Sequence, residues 1–466
     1  MVQPYPTFHP KRINQTGHAL GIKTALAKAW CVVETLFMKS ITFIERMQLQ
    51  LGRGLRQTWN LLRNEGLHGF ARKARSTVAE SIQPAETILP VRREDLLLAD
   101  LGRPFQPVIR VPKPGEEIVV NWVTTPPAAG SGGHTTLFRV VNYLEAHGYK
   151  NRIYFYDVYG GDHQYYENIV RRYYNFSGPV GRVDNGMEDA HAVIATGWPT
   201  AYPVFNSRCA GKRFYFIQDY EPYFYAPGTL SFLAKCTYQM GFHGITIGRC
   251  FTQQLVECGM QLDSFEYGCD LSQYQRKENR KRSGVVFYAR PETPRRGTEL
   301  GSLALQLLHQ RHPEVPIHIY GKRMSKLPFD HIDHGYLKPS QLNDLYNQCR
   351  VGLSLSFTNV SLVAYEMLAA GCIPVVNDTP EVRLDVNNPF VRYVEPYPHS
   401  LAAELEKTIM SADFDTLSRD AAASLQSRSW DVAGEKADAI LRRVLNVSTE
   451  HNLRNTSIDL VHTSDD

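Results

Sequence analysis

The stretch 351–378, VGLSLSFTNVSLVAYEMLAAGCIPVVND, constrains the fold more than any other part of the chain. Residues 351–357 read as a buried strand, and 358–360 as a short polar break. Ser361 is placed to cap a helix that runs to about Ala370, where Gly371 stops it. Residues 373–376 make a second short strand. A strand, a helix and a strand in this order imply parallel pairing, and so an α/β chain. Such sheets bind ligands beyond the carboxyl ends of their strands, where helix N-termini point. The amides of Ser361 and Leu362 would then form an anion site. Glu366 lies one turn after Leu362 on the same face, within reach of a ribose hydroxyl. Taken alone, it reads more readily as a solvated carboxylate on an ordinary helix.

The same alternation runs through the rest of the chain. Residues 117–125, EEIVVNWVT, open a first Rossmann-like domain. The loop PPAAGSGGH follows, with a helix expected from Thr135 to Glu145. Gly130, Gly132 and Gly133 let the backbone come close to a ligand. His134 either faces the cleft or is simply exposed. The loop is neither GxGxxG nor a Walker A motif, so no dinucleotide or ATP fingerprint is indicated. Further strands are expected at 153–158, 192–196, 213–219 and 244–248, and a helix at 250–259. The strand at 213–219 ends in QDYEPYFYAPG. Gln218, Asp219 and Glu221 thus stand where a cleft residue belongs. Tyr223, with Tyr220, Phe224 and Tyr225, either stacks on sugar rings or closes over the core. Residues 276–283, RKENRKRS, read as a charged linker. A second domain opens at 284–308 with a strand, a loop carrying Arg290, Arg295 and Arg296, and a helix.

Charge is distributed unevenly. The 466 residues carry a net +4, yet residues 1–90 hold twelve Lys or Arg against five Asp or Glu. Within them, Leu26, Trp30, Val33, Phe37, Ile41 and Ile44 recur at mostly helical spacing. A basic amphipathic helix of this kind docks on an anionic membrane or on the protein's own body. Lys28, Glu34 and Lys39 exclude a good membrane-spanning helix there. No RNA-binding motif or basic run points to nucleic acid. The eight cysteines show no CxxC pairing, which argues against zinc or a disulfide framework and fits a reducing, cytoplasmic compartment.

Several of these motifs together resemble the retaining GT-B glycosyltransferases of family four. AAGCIPVV matches that family's exit from its signature helix, and Glu366 matches the second of its two signature glutamates. Thr358 stands where the first would be. YGCD (267–270) matches the turn that ends the family's first domain, through Gly268 and Asp270. The aromatic run after strand 213–219 is similar to a rhamnosyltransferase-like subgroup of surface-polysaccharide assembly. The resemblance covers residues 117–445. It implies two facing Rossmann-like, doubly wound domains with a deep cleft between them: an acceptor domain at 117–275 and a nucleotide-sugar domain at 284–428. A crossover helix at 429–445 and a disordered tail at 446–466 would follow, and a basic helical extension at 1–95 would precede.

The resemblance further implies that Arg290 and Arg296, with the amides of Ser361 and Leu362, hold the donor diphosphate. Arg295 competes for the second arginine's place. Glu366 would bind the ribose. Asp219 is a second catalytic candidate, and Gln218, Glu221, Tyr223 and Thr358 are candidate sugar or acceptor contacts. No metal or other cofactor is expected. The implied reaction moves a sugar, rhamnose in that subgroup, from a nucleoside diphosphate sugar to a glycan or lipid-linked acceptor, with retention. Its setting would be the inner face of the cytoplasmic membrane. Two alternatives stay open: a non-catalytic binding protein of the same fold, and a nucleotide-sugar epimerase.

Overall fold

The computed structural model describes residues 89–324, 326–359 and 362–447. Most of the extension expected over 1–95, the capping residue Ser361, and most of the tail expected over 446–466 lie outside the described residues.

The first half contains α1 (Arg93–Leu98), β1 (Ile118–Thr124), α2 (Gly132–Ala146), β2 (Tyr149–Phe155), α3 (His163–Tyr173), β3 (Val180–Arg182), β4 (Ala192–Ala195), α4 (Trp198–Asn206), β5 (Lys212–Ile217), α5 (Thr229–Cys236), β6 (His243–Ile247), α6 (Thr252–Glu257) and β7 (Gln261–Phe265). Its seven strands lie in the order β3-β2-β1-β4-β5-β6-β7, all parallel. The second half contains β8 (Val285–Ala289), α7 (Thr298–Arg311), β9 (Ile317–Gly321), β10 (Ile332–Asp333), α8 (Pro339–Gln348), β11 (Val351–Leu353), α9 (Leu362–Ala369), β12 (Ile373–Asn377), α10 (Pro380–Val386), β13 (Arg392–Val394), α11 (Pro398–Ile409) and α12 (Phe414–Ala423). Its six strands are also parallel, in the order β10-β9-β8-β11-β12-β13. Strand order reverses between β1 and β4 and again between β8 and β11. Each reversal opens a crevice at the carboxyl ends of the strands.

The pattern of apolar residues explains why these strands are central. In β1, Val120 and Trp122 face one helical layer and Val123 the other, so both faces are buried. Parallel strands covered on both sides carry such near-continuous apolar runs. The last helix among the described residues, α13 (Trp430–Val444), returns to the first half and packs on α2. Its Ala433, Ala437, Ile440 and Leu441 join Val141 and Leu144 in one core that spans both halves. Each large apolar side chain buried there stabilises by roughly 1.5–3 kcal/mol. Gly434 is required by closeness: a Cβ there would run into the ring of Tyr143. At the rim, Tyr149 donates to Asp438 at 2.5 Å and Lys212 Nζ to the Val444 carbonyl at 3.1 Å.

Several element boundaries differ from expectation. The strand expected over 351–357 ends at Leu353, and the chain continues as a loop fastened by side chains. Buried Asn377 both accepts from Ser356 N at 2.8 Å and donates to Ser356 O at 2.7 Å, doing the work of a strand partner. The helix expected from Thr135 starts at Gly132, so Gly132, Gly133 and His134 form its first turn. Glycines are tolerated there because first-turn amides have no intrahelical acceptor anyway. The strand expected at 153–158 is displaced to Tyr149–Phe155. Asp157 ends it by accepting from the amides of Tyr159 at 2.9 Å and Gly161 at 2.6 Å. The edge strands β3 and β7 were not anticipated; their mixed burial blurs the period-two pattern. The charged stretch at 276–283 is stapled rather than loose: Arg282 donates to Ala370 O at 2.7 Å, and Asn347 Oδ1 accepts from Lys277 N at 2.7 Å.

Candidate functional site

Two loops meet at the reversal points. From the first half comes the connection after β5, carrying Gln218 and Asp219. From the second comes the loop after β11, carrying Thr358 and Asn359. Asp219 is buried, and its carboxylate accepts from Thr358 Oγ1 at 2.9 Å, Asn359 N at 3.2 Å and Tyr220 N at 2.9 Å. Asn359 Nδ2 donates to the Gln218 carbonyl at 2.9 Å, and Gln218 Nε2 to Gly133 O at 3.1 Å. The first turn of α2, the end of β5 and the loop into α9 are thereby linked. Burial pushes the Asp219 carboxyl up, while Arg295, Arg296 and the two donors from 358–359 pull it down.

The β8–α7 connection supplies the cations. Arg290 donates from Nη1 to the Tyr288 hydroxyl at 2.9 Å and pairs with Glu292 at 2.9 Å. Arg295 lies 4.1 Å over the Phe224 ring and 3.8 Å from Asp219 Oδ2. Arg296 is tied into the facing loop, donating to Ser356 Oγ at 2.8 Å and to Asn359 Oδ1 at 3.2 Å. Gly297 ends this turn in the left-handed region, φ 59°, where a side chain would be strained and would also press on Phe357 and Leu355. Arg296 is therefore a loop-holding group here. Arg290 is held instead by Tyr288 and Glu292 on its own side of the cleft, and Arg295 by a ring face and a longer ionic contact.

Glu366 forms a separate cluster. It is half-buried on α9, and Tyr346 donates to its Oε2 at 3.3 Å. Tyr274 also faces the carboxyl and favours its charged form. Burial pushes its pKa up to about 7 against the pull of Tyr346, Tyr274 and Arg139. Arg139, from α2, is paired with Asp270 at 2.7 Å. The carboxylate that by itself reads as a solvated group on an ordinary helix is thus faced by tyrosines.

The other expected site residues fall in different surroundings. Glu221 is buried and taken up by its own domain: it accepts from Trp198 N at 2.7 Å and Tyr215 OH at 3.1 Å. It anchors the start of α4 rather than facing the cleft, and burial pushes its pKa up to about 7. His134 is fixed between Ser131 Oγ at 3.0 Å and Thr125 O at 3.2 Å, with its pKa lowered by burial. Tyr223 is exposed and packs edge-on against Tyr220 at 4.8 Å. Gly130 precedes α2 with φ 76°. Leu362 begins α9, and Ser361 lies outside the described residues. Among the described residues, no group of three or more His, Cys, Asp or Glu is placed to hold a metal ion.

Sequence reasoning missed Asn359, Asn377 and Asp385. Asp385, on α10, accepts from Arg249 N at 2.6 Å and Cys250 N at 3.0 Å, so each half sends one buried carboxylate into a loop of the other. The adjacency of Asn359 to Thr358 was the one available signal; Asp385 had none.

Two facing, doubly wound parallel sheets with a returning terminal helix constitute the GT-B fold. Residues 283–406 match the family model described as WsaF, C-terminal domain. The chain is 33% identical over 264 residues to the O-antigen biosynthesis protein RfbC of Myxococcus xanthus. That alignment covers 54% of this chain and 20% of the relative, so the chain spans about a fifth of that protein's length. Among solved structures, it resembles a sucrose-phosphate synthase from Thermosynechococcus elongatus, with TM-score 0.56 and 11% identity over 71% of this chain and all of that one. It also resembles the pneumococcal O-GlcNAc transferase GtfA in complex with UDP and GlcNAc, with TM-score 0.55 and 10% identity over 71% and 99% of the two chains. At such identities the solved structures establish the shared fold.

Proposed function

We propose that this chain is a glycosyltransferase of surface-polysaccharide biosynthesis, moving a sugar from a nucleoside diphosphate sugar to a glycan or lipid-linked acceptor. The observation that carries this reading is the set of guanidinium groups on the β8–α7 connection at the sheet's reversal point. One of them, Arg296, is hydrogen-bonded into the loop that leads to α9. In this reading Arg290 and Arg295 stabilise the leaving diphosphate, aided by the amides at the start of α9. Arg296 keeps that loop in place, and Glu366 accepts from the ribose. Asp219 stands at the reacting end of the cleft. The relationship to an O-antigen biosynthesis protein and the UDP carried by a structural neighbour support the reading. Rhamnose as the sugar, retention of configuration and independence from metals extend it.

The test is nucleotide release from a panel of UDP-, dTDP- and GDP-sugars, with and without extracted surface glycan, in buffer containing EDTA. Acceptor-dependent release is expected. A donor that binds with no release under any condition would favour a non-catalytic nucleotide-sugar binding protein. That second reading draws on the Thr358–Asp219 bond, which occupies both side chains.

No helix among the described residues is long and apolar enough to cross a membrane. Attachment to an anionic membrane surface is assigned to the basic residues 1–90. Sedimentation with phosphatidylglycerol vesicles, before and after deletion of residues 1–88, tests it. Undiminished pelleting of the shortened chain would rule it out.

A further inference from the structure

Behind Glu366 the second half carries a row of tyrosines that the donor-site reading leaves unused. Tyr346, on α8, is fully buried and donates to Glu366 Oε2 at 3.3 Å. Its oxygen lies 2.7 Å from the hydroxyl of Tyr320, buried on β9. The Tyr320 ring stacks on Tyr288 with centroids 5.0 Å apart, and the Tyr288 hydroxyl accepts from Arg290. The row therefore runs through the domain interior from Glu366 to Arg290, the two groups assigned to the ribose and the diphosphate of one ligand.

Burying phenolic hydroxyls is costly unless each has a partner. A hydroxyl has one proton to give and lone pairs to receive, so a chain that ends on a carboxylate has a favoured sense. Tyr320 donates to Tyr346, and Tyr346 donates to the charged Glu366. Protonating Glu366 removes the charge that makes it the strongest acceptor of the chain, and so weakens the chain's anchor. The other groups facing Glu366 are Tyr274, Arg139, Asp270 and Cys269. Arg139 favours the charged form but is shared with Asp270, which opposes it.

We propose that Tyr346, backed by Tyr320, is a positioning residue that holds one oxygen of Glu366 and keeps this carboxylate charged to accept from ligand hydroxyls. The proposal rests on the reading of Glu366 as a ribose contact. A shape-filling role alone predicts a different behaviour. Replacing Tyr346 by Phe keeps the ring but removes the hydrogen bond to Glu366 together with the acceptor for Tyr320, so the proton affinity of Glu366 should rise while the ring packing is retained.

The experiment uses full-length protein with glutamate carboxyl groups labelled with ¹³C. The Glu366 resonance is assigned by its loss in Glu366→Gln and followed from pH 5 to 10. The native midpoint is expected near 7. In Tyr346→Phe it should move up by about one pH unit, the scale of one hydrogen bond to a charged group. Affinity for UDP at pH 7 should fall several-fold in Tyr346→Phe, and the deficit should shrink at pH 9. Adding Tyr346→Phe to Glu366→Gln should change UDP affinity no further. An unmoved midpoint in folded Tyr346→Phe would overturn the proposal, as would a UDP deficit of equal size at both pH values. If Tyr346→Phe does not fold, Tyr320→Phe should raise the midpoint by a smaller amount, and no rise there would also overturn it. A shifted midpoint with UDP affinity indifferent to both Tyr346→Phe and Glu366→Gln would uphold Tyr346 as the positioner of Glu366 and sink the ribose assignment instead.

Discussion

Thr358 donates its hydroxyl hydrogen to Oδ2 of Asp219 at 2.9 Å, joining the loop after β11 to the loop after β5 across the reversal points of the two sheets. Thr358 is the residue that the sequence resemblance aligns with the signature motif's first glutamate. A carboxylate is nevertheless present at that spot, brought from the opposite domain and buried. The charge a single-domain motif would supply is here available only when the two halves are together. Asp219 thus serves both the proposed chemistry and the closure of the cleft.

Arg290 and Arg296 should separate by function. Arg290→Ala removes a cation that holds no loop, so UDP affinity should fall by roughly 1.5–3 kcal/mol per charged hydrogen bond lost to the ligand, with uridine almost unaffected. Arg296→Ala frees Ser356 and Asn359, so it should weaken uridine and UDP alike and lower the melting temperature. Calorimetric titration with both ligands checks this. Equal losses for UDP and uridine in Arg290→Ala would remove Arg290 from the diphosphate site.

Glu221 gives a stability prediction with a definite sign. Its folded pKa, about 7, lies above its ordinary value of 4.5 because of burial. The folded state then binds the proton more tightly than the unfolded state, so this group's contribution declines as pH rises from about 4.5 to about 7 and is flat beyond. The shift corresponds to a decline on the order of 3 kcal/mol. Glu221→Gln removes that slope. The melting temperature of the variant minus that of the native protein should therefore climb between pH 5 and 7.5. A difference that stays constant over that range would refute it.

How much of this was legible in the sequence depended on whether the signal was local. The parallel α/β alternation was legible because apolar strands such as 118–124 are buried on both faces, and because Gly371 marks the end of α9. The edge strands β3 and β7 were not, since half-exposed strands lose the pattern. Arg290 and Asp219 could be placed at the crevices because they lie within two residues of the carboxyl ends of β8 and β5. The pairing of Asp219 with Thr358, 139 residues apart, could not, because it exists only once both sheets have formed. For the same reason Glu221 was taken for a cleft residue: its partner Trp198 N lies on another strand's exit. The tyrosines around Glu366 come from β9, α8 and the segment after β7, and no spacing in the sequence connects them.

Glu366 should discriminate between its variants. Glu366→Gln keeps the shape and one acceptor, so it should reduce turnover less than Glu366→Ala. A 2′-deoxy donor should bind the native protein more weakly than its ribose counterpart and lose little more in Glu366→Ala, if the 2′-hydroxyl is the one held. The check is a comparison of donor KM and kcat across the three proteins. Near-native values for Glu366→Ala would remove it from the donor site.

In the pattern that the sequence resembles, position 358 would carry a glutamate, so Thr358→Glu looks like a repair. Yet the Thr358 hydroxyl already touches Asp219, so the new carboxylate would stand within a few ångströms of a buried one. Two like charges that close do not both stay ionised; one takes up a proton or the loops part. Arg295, 3.8 Å away, is stacked on Phe224 and offsets only part of the added charge. Thr358→Glu should therefore lower both melting temperature and turnover at pH 8, with partial recovery near pH 5.5, where one carboxyl is neutral. Adding Asp219→Asn removes the repulsion and supplies an amide that can donate to the new carboxylate. The double variant should melt higher than Thr358→Glu alone, giving a coupling energy of about 0.5–3 kcal/mol, the range found for residues in direct contact. Thermal melts of the four proteins of this cycle measure it. Additive effects would mean that the two side chains do not meet in solution, and that the cleft stands open with Asp219 free of the second domain.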